Sequence, residues 1–146
     1  MSEVLYLLSD TARLLRRAFD ARVSQLGMTS TQARLLLTLS RHEGENQAAY
    51  AERLEVEPIT LTRMIDRMVE GGLIERRPDP ADRRAWRIHL TEGSWRKIDE
   101  VRACLVGLED EVLGGLDTGQ VGTLSGLLTT IRGNIAQGRT MEAVHG

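Results

Sequence analysis

The stretch from Asn46 to Gly72 constrains the fold most, because it reads as two short helices joined by only three residues, Glu55-Val56-Glu57. Asn46 can cap the first helix, Gln47 to Leu54, since its side-chain oxygen can accept an orphan amide of the opening turn. Pro58 stands where proline is best tolerated, in the first turn of a helix that runs to about Val69. Leu61, Ile65 and Met68, with Met64 beside them, recur at three- and four-residue steps and predict its buried face. Thr60, Thr62, Arg63, Asp66 and Arg67 fall wholly or partly outside that face, and Gly71-Gly72 stops the helix. A tight helix pair whose second member is apolar within and Thr/Arg-rich without is the helix-turn-helix pattern.

A hairpin is predicted next. Leu73-Ile74-Glu75-Arg76-Arg77 is followed by the turn formers Pro78-Asp79-Pro80-Ala81-Asp82, then by Arg83-Arg84 and Ala85 to Leu90. In the last run Trp86, Ile88 and Leu90 alternate with Arg87 and His89, as in a half-buried strand. The result is a two-stranded hairpin with a basic tip.

Helices flank this centre on both sides. Residues 3–26 carry the stripe Val4, Leu8, Ala12, Leu15, Phe19, Val23 and Leu26, ended by Gly27. Thr29 and Gln32 have capping-box spacing and open a second helix whose Ala33 to Leu39 are apolar on more than one face. Arg41 to Glu45 form a polar turn around Gly44. After the hairpin, Thr91 is expected to cap a long helix to about Leu116, with stripe Ile98, Val101, Leu105, Leu108 and Val112. Asp117 is expected to cap a final helix with stripe Val121, Leu124, Leu128, Ile131 and Ile135, and residues after Gly138 are expected to fray. Gly119, Gly122, Gly126 and Gly133 lie in that final segment. Each interior glycine costs about 0.5–1 kcal/mol relative to alanine, so the helix should depend on packing against a partner. With no repeat and no interior linker, residues 1–146 read as one domain, mainly α with a small β-hairpin.

Composition narrows the function. Aromatics are 3% of the chain, so the core rests on Leu, Val, Ile, Ala and Met. No apolar run approaches the roughly 18 residues that cross a membrane. The opening MSEVLYLLSD lacks a basic n-region, so a cytoplasmic location is expected. The single cysteine, Cys104, excludes an internal disulfide and a cysteine zinc site, and reads as a small apolar filler rather than a redox sensor. His42, His89 and His145 share no metal-ligand spacing, and Met28, Met64 and Met68 read as core fill. No nucleophile–base set, paired-carboxylate motif or Gly-rich phosphate loop is present, so neither an enzyme nor a cofactor is expected. The net charge of −2 argues against a uniformly basic binder, yet every basic residue but Lys97 is an arginine, whose planar fork grips phosphate or guanine with two hydrogen bonds.

Several motifs together resemble the MarR family of winged helix-turn-helix transcription regulators, over nearly the whole chain. Thr29-Ser30-Thr31-Gln32 resembles the family's Thr-x-x-Gln opening of its second helix, and Tyr50-Ala51-Glu52-Arg53-Leu54 its Leu-Ala-x-x-Leu helix. Pro58 to Met68, with Gly72-Leu73-Ile74-Glu75-Arg76, resembles the recognition helix and its exit. Asp79-Pro80-Ala81-Asp82-Arg83-Arg84 ahead of His89-Leu90-Thr91-Glu92-Gly93 is similar to the wing signature and is the most specific match. Two positions depart from the pattern: Glu55 stands where a turn glycine is common, and Glu57 where Ser or Thr usually caps the recognition helix.

The resemblance implies a homodimer built by residues 1–28 and 91–138, with residues 29–90 as the part that meets double-stranded DNA at a pseudo-palindromic promoter site. It implies a repressor responsive to a small aromatic effector. Thr60, Thr62 and Arg63 are expected to face the major groove, and Arg67, Arg76, Arg77 and Arg87 to lie nearer the phosphates. Arg83 and Arg84 form the wing tip; Arg84 matches the family's minor-groove arginine, and Asp82 is expected to brace its guanidinium. The rival is a winged-helix protein-interaction module without DNA binding, suggested by the net acidity and by Glu55 and Glu57 beside the turn.

Overall fold

A computed structural model describes the backbone of residues 2–145 and the side chains of residues 2–138. Eight elements follow one another: α1 (Glu3–Ser24), α2 (Ser30–Arg41), α3 (Gln47–Leu54), α4 (Pro58–Glu70), β1 (Ile74–Pro78), β2 (Trp86–Leu90), α5 (Ser94–Val112) and α6 (Thr118–His145). They fall into two compact units, residues 1–108 and 109–146.

The helix starts in the first unit are set by local chemistry. Thr29 accepts from the Gln32 amide at 3.2 Å while Gln32 Oε1 accepts from the Thr29 amide at 3.0 Å, so the capping box of α2 closes. Asn46 Oδ1 accepts from the Ala49 amide at 2.9 Å and starts α3. Pro58 starts α4, whose N-cap residue Glu57 makes no side-chain capping bond.

The core of this unit lies beneath the winged helix-turn-helix. Leu35, Leu36 and Leu39 of α2, Tyr50 of α3, Leu61 and Ile65 of α4, Ile88 of β2, and Ile98 and Val101 of α5 are fully enclosed. Tyr50 is the polar hub: its hydroxyl accepts from the Glu45 amide at 3.1 Å and donates to the His42 carbonyl at 2.5 Å. Burial pushes its phenol pKa up. Of the α1 stripe only the C-terminal end joins the core, through buried Val23 and half-buried Phe19 and Leu26. Val4 and Leu15, earlier on the stripe, stay exposed.

β1 and β2 pair antiparallel, with Ile74 opposite Leu90 and Pro78 opposite Trp86. The segment before α3 closes the other edge of β2. The Gly44 amide donates to the Ile88 carbonyl at 3.0 Å, the Ile88 amide donates to the Glu45 carbonyl at 3.1 Å, and Asn46 bridges Arg87. Glu43 Oε1 accepts from the Leu90 amide at 3.0 Å and lies 3.5 Å from His89 Nδ1.

Four expectations are corrected. Trp86 is exposed, unlike Ile88 and Leu90 on the same face, because it sits at the wing end of the strand beyond the core. Thr91 does not cap α5 with its hydroxyl, which instead donates to the Gly72 carbonyl at 2.5 Å, and α5 begins at Ser94. That helix ends at Val112 rather than Leu116, where a turn with Gly115 at φ 88° intervenes. Helix α6 continues past Gly138 to His145. A lone glycine only lowers helix stability, and no proline follows it to force an end.

In the second unit, Asp117 Oδ1 accepts from the Gln120 amide at 2.8 Å and Gln120 Oε1 accepts from the Asp117 amide at 3.0 Å, the expected cap. Within α6 only Val121 and Ile131 are half-buried among the described side chains; Leu124, Leu127, Leu128 and Ile135 are exposed. Among the described residues no helix is long and apolar enough to cross a membrane.

Candidate nucleic-acid interface

Helix α4 sorts its side chains as its sequence dictates. Leu61, Ile65 and Met68 are buried, so the opposite side faces outward. There Ile59, Arg63 and Arg67 follow at four-residue steps, with Thr60 beside them, and all four are exposed. Thr62 lies at the margin. Its hydroxyl accepts from Gln47 Nε2 at 2.7 Å and donates to the Pro58 carbonyl at 2.9 Å, clasping α3 to α4. The Thr62 hydroxyl is thereby engaged within the protein.

The predicted arginines divide by partner. Arg76 of β1 is mostly enclosed and bonds Asp66 of α4, a strut between recognition helix and hairpin. Arg77 bonds Glu75 of its own strand at 2.5 Å. Arg87 Nε lies 3.4 Å from Asp79 Oδ2, across the base of the wing loop. The Ala81 amide, donating at 2.9 Å, and the Arg87 guanidinium together hold the Asp79 carboxyl below the usual aspartate range. Arg63, Arg67, Arg83 and Arg84 are exposed and meet no carboxylate within salt-bridge distance among the described residues. A charge without a fixed counter-charge projects the stronger field, so on α4 and the wing these four contribute more to the outward potential than the paired Arg76, Arg77 and Arg87.

Asp82 supports the wing differently from expectation. Its Oδ1 accepts from the backbone amide of Arg84 at 2.9 Å, an Asx-turn bond, and does not hold the guanidinium. The loop is tied again by the Ala85 amide donating to the Asp82 carbonyl at 3.1 Å. A short side chain fixes the tip backbone while Arg84 extends into solvent.

The turn ahead of α4 carries the two departures from the family pattern. Glu55 adopts φ 53°, ψ 47°, the only left-handed non-glycine among the described residues, where glycine would be unstrained. Glu57 is exposed at the N-cap of α4. Sequence reasoning does not single out Ile59, which lies off the buried stripe, although an apolar residue on the polar face of a recognition helix is itself the signal. Arg53, near the turn, donates to Glu45 through Nε at 2.7 Å and Nη2 at 2.6 Å and holds that carboxyl below the usual range.

Among the described residues no three His, Cys, Asp or Glu side chains converge as for a metal, and the side chain of His145 lies outside them. Cys104 is half-buried.

A helix-turn-helix with an arginine-bearing wing closed onto it defines the winged-helix class. Residues 28–86 match the model of the MarR family. The fold is similar to apo wild-type MarR from E. coli, at TM-score 0.81 and 26% identity over 90% of this chain and 97% of that one. It is also similar to a cysteine-to-serine mutant of E. coli MarR complexed with operator DNA, at TM-score 0.75 and 27% identity over 86% and 91%. A MarR transcriptional regulator from Methanosarcina mazei Go1 shares the fold at TM-score 0.82 and 22% identity over 92% and 96%. The chain thus has the winged-helix fold of the MarR proteins it resembles, and residues 28–86 match the MarR-family pattern.

Proposed function

We propose that the chain acts in the cytoplasm as a homodimeric repressor, not as an enzyme, and binds a pseudo-palindromic promoter site. Residues 29–90 read DNA, and residues 1–28 and 91–138 supply the dimer helices. The observation that carries this reading is the set of arginines without salt-bridge partners on the outer face of α4 and at the wing tip. Operator DNA bound to a relative of the same fold supports it. Thr60 and Arg63 meet base edges in the major groove, with Thr62 holding the helix in place. Arg67 and Arg83 meet phosphates, Arg84 enters the minor groove on the support of Asp82, and Arg76, Arg77 and Arg87 brace the wing beside the backbone. A small aromatic acid is the effector class the family implies.

A two-fold dimer presents two identical heads, so half-sites lie about one helical turn apart. Arg63→Ala should cost roughly 1–3 kcal/mol and blur preference at one position per half-site. Arg84→Ala should weaken binding broadly, most on narrow A/T-rich flanks, and flatten the salt slope by about one phosphate-equivalent. Binding isotherms across salt, on the selected site and on a flank-scrambled version, check both. Unchanged binding by Arg84→Ala would remove the hairpin from DNA recognition and favour a protein-interaction module.

A further inference from the structure

We propose that Ile59 is a specificity-determining residue that packs against the C5-methyl group of a thymine in the major groove. The inference rests on the DNA-binding reading of α4 given above. Ile59 is 69% exposed, more than any other large apolar side chain among the described residues. Thr60 beside it and Arg63 one turn on are polar and exposed, and the other exposed aliphatic side chains lie on α1, on α5 and the turn after it, and on α6. No other large apolar side chain of α4 is exposed.

The surrounding chemistry selects its partner. In the major groove, thymine alone of the four bases offers an apolar group, its C5-methyl. Ile59 lies one turn before Arg63 on the same row, and Arg63 has the fork that reads guanine. Four residues of helix rise about 6 Å, and base pairs stack about 3.4 Å apart. The thymine should therefore lie about two base pairs from the guanine read by Arg63. Pro58 fixes the backbone immediately before Ile59, and a β-branched side chain in a helix has one strongly preferred rotamer. Presenting the group thus costs little conformational entropy.

The probe is the duplex that the wild-type chain selects from a randomised pool, remade with deoxyuridine replacing thymidine one position at a time. Deoxyuridine lacks only the methyl group. At one position per half-site it should weaken wild-type binding about fourfold, the worth of one buried methyl. Ile59→Ala should bind the thymidine duplex several-fold more weakly and be indifferent to deoxyuridine at that position, while Ile59→Val keeps part of the sensitivity. Circular dichroism should match wild type, since the side chain is exposed. Equal deoxyuridine sensitivity in wild type and Ile59→Ala, or a wild type insensitive at every position, would overturn the assignment and leave the DNA-binding reading standing. A wild type that selects no sequence would overturn the DNA-binding reading and the assignment with it.

Discussion

Leucines in two helices of this molecule meet opposite fates. Leu35, Leu36 and Leu39 of α2 are fully enclosed, whereas Leu124, Leu127 and Leu128 of α6 are 38%, 58% and 41% exposed. Around α2, neighbours arrive from α3, β2 and the end of α1, and all belong to the same compact unit. Helix α6 has the same residue type at helical spacing, and none of its described side chains is fully buried. Periodicity announces that a face will be covered; it does not say which chain covers it. The first half of α1 repeats the lesson, with Val4, Leu5, Tyr6 and Leu7 exposed while Val23, further along the same helix, is buried.

The contrast predicts unequal responses to mutation. The largest should come from Leu128→Glu. In the proposed dimer a charge forced into the α6 contact costs several kcal/mol in each copy, so sedimentation should show a monomer whose winged helix stays folded. A Leu128→Glu dimer as stable as wild type would show that α6 is not the covered face. Next, Ile65→Ala should cost about 2–5 kcal/mol in urea unfolding, because it opens a cavity in a core the unit closes for itself. A loss near zero would break the claim that the winged helix is self-sufficient.

A smaller effect, opposite in sign, belongs to the turn. Glu55→Gly should relieve the left-handed backbone and stabilise the chain by about 0.5–1 kcal/mol, seen as a melting rise of roughly 2–4 °C. The smallest is electrostatic. Asp79 has a folded pKa below its unfolded value, so it contributes stability at neutral pH. That contribution begins to fall as pH approaches the ordinary aspartate value and is lost as pH drops through the lowered one. Carboxyl resonances should show Asp79 still ionised where a free aspartate is half protonated, and Arg87→Ala should move its midpoint upward.

What can be read from the sequence is short-range. Thr29 with Gln32, Asn46, Pro58 and Asp117 each act within three residues, and the helices they open begin where the sequence predicts. The alternation in β2 predicts the hairpin, and the outer face of α4 follows from its buried stripe. What the sequence does not disclose is long-range. Thr91 sends its hydroxyl to Gly72, nineteen residues away, in place of the adjacent helix. Arg76 finds Asp66 ten residues back, and Thr62 finds Gln47 fifteen back. Each of these side chains was free to act locally, and only the assembled fold supplied the competing partner. Asp82 sits at the expected turn but bonds a backbone amide in place of a guanidinium, because the periodicity of a hairpin says nothing about which donor an aspartate meets.

The closure of β2 by residues 43–46 also bears on how the protein behaves in a crowded solution. A two-stranded sheet has two free edges, and a bare edge is a template for adding strands from other molecules. Here one edge is occupied by the Gly44–Ile88 and Ile88–Glu45 bonds. The other belongs to Ile74-Glu75-Arg76-Arg77-Pro78, whose charges and terminal proline discourage a further strand. A projecting wing that must stay accessible is thereby guarded against aggregation on both sides, and it needs no covering helix to do so.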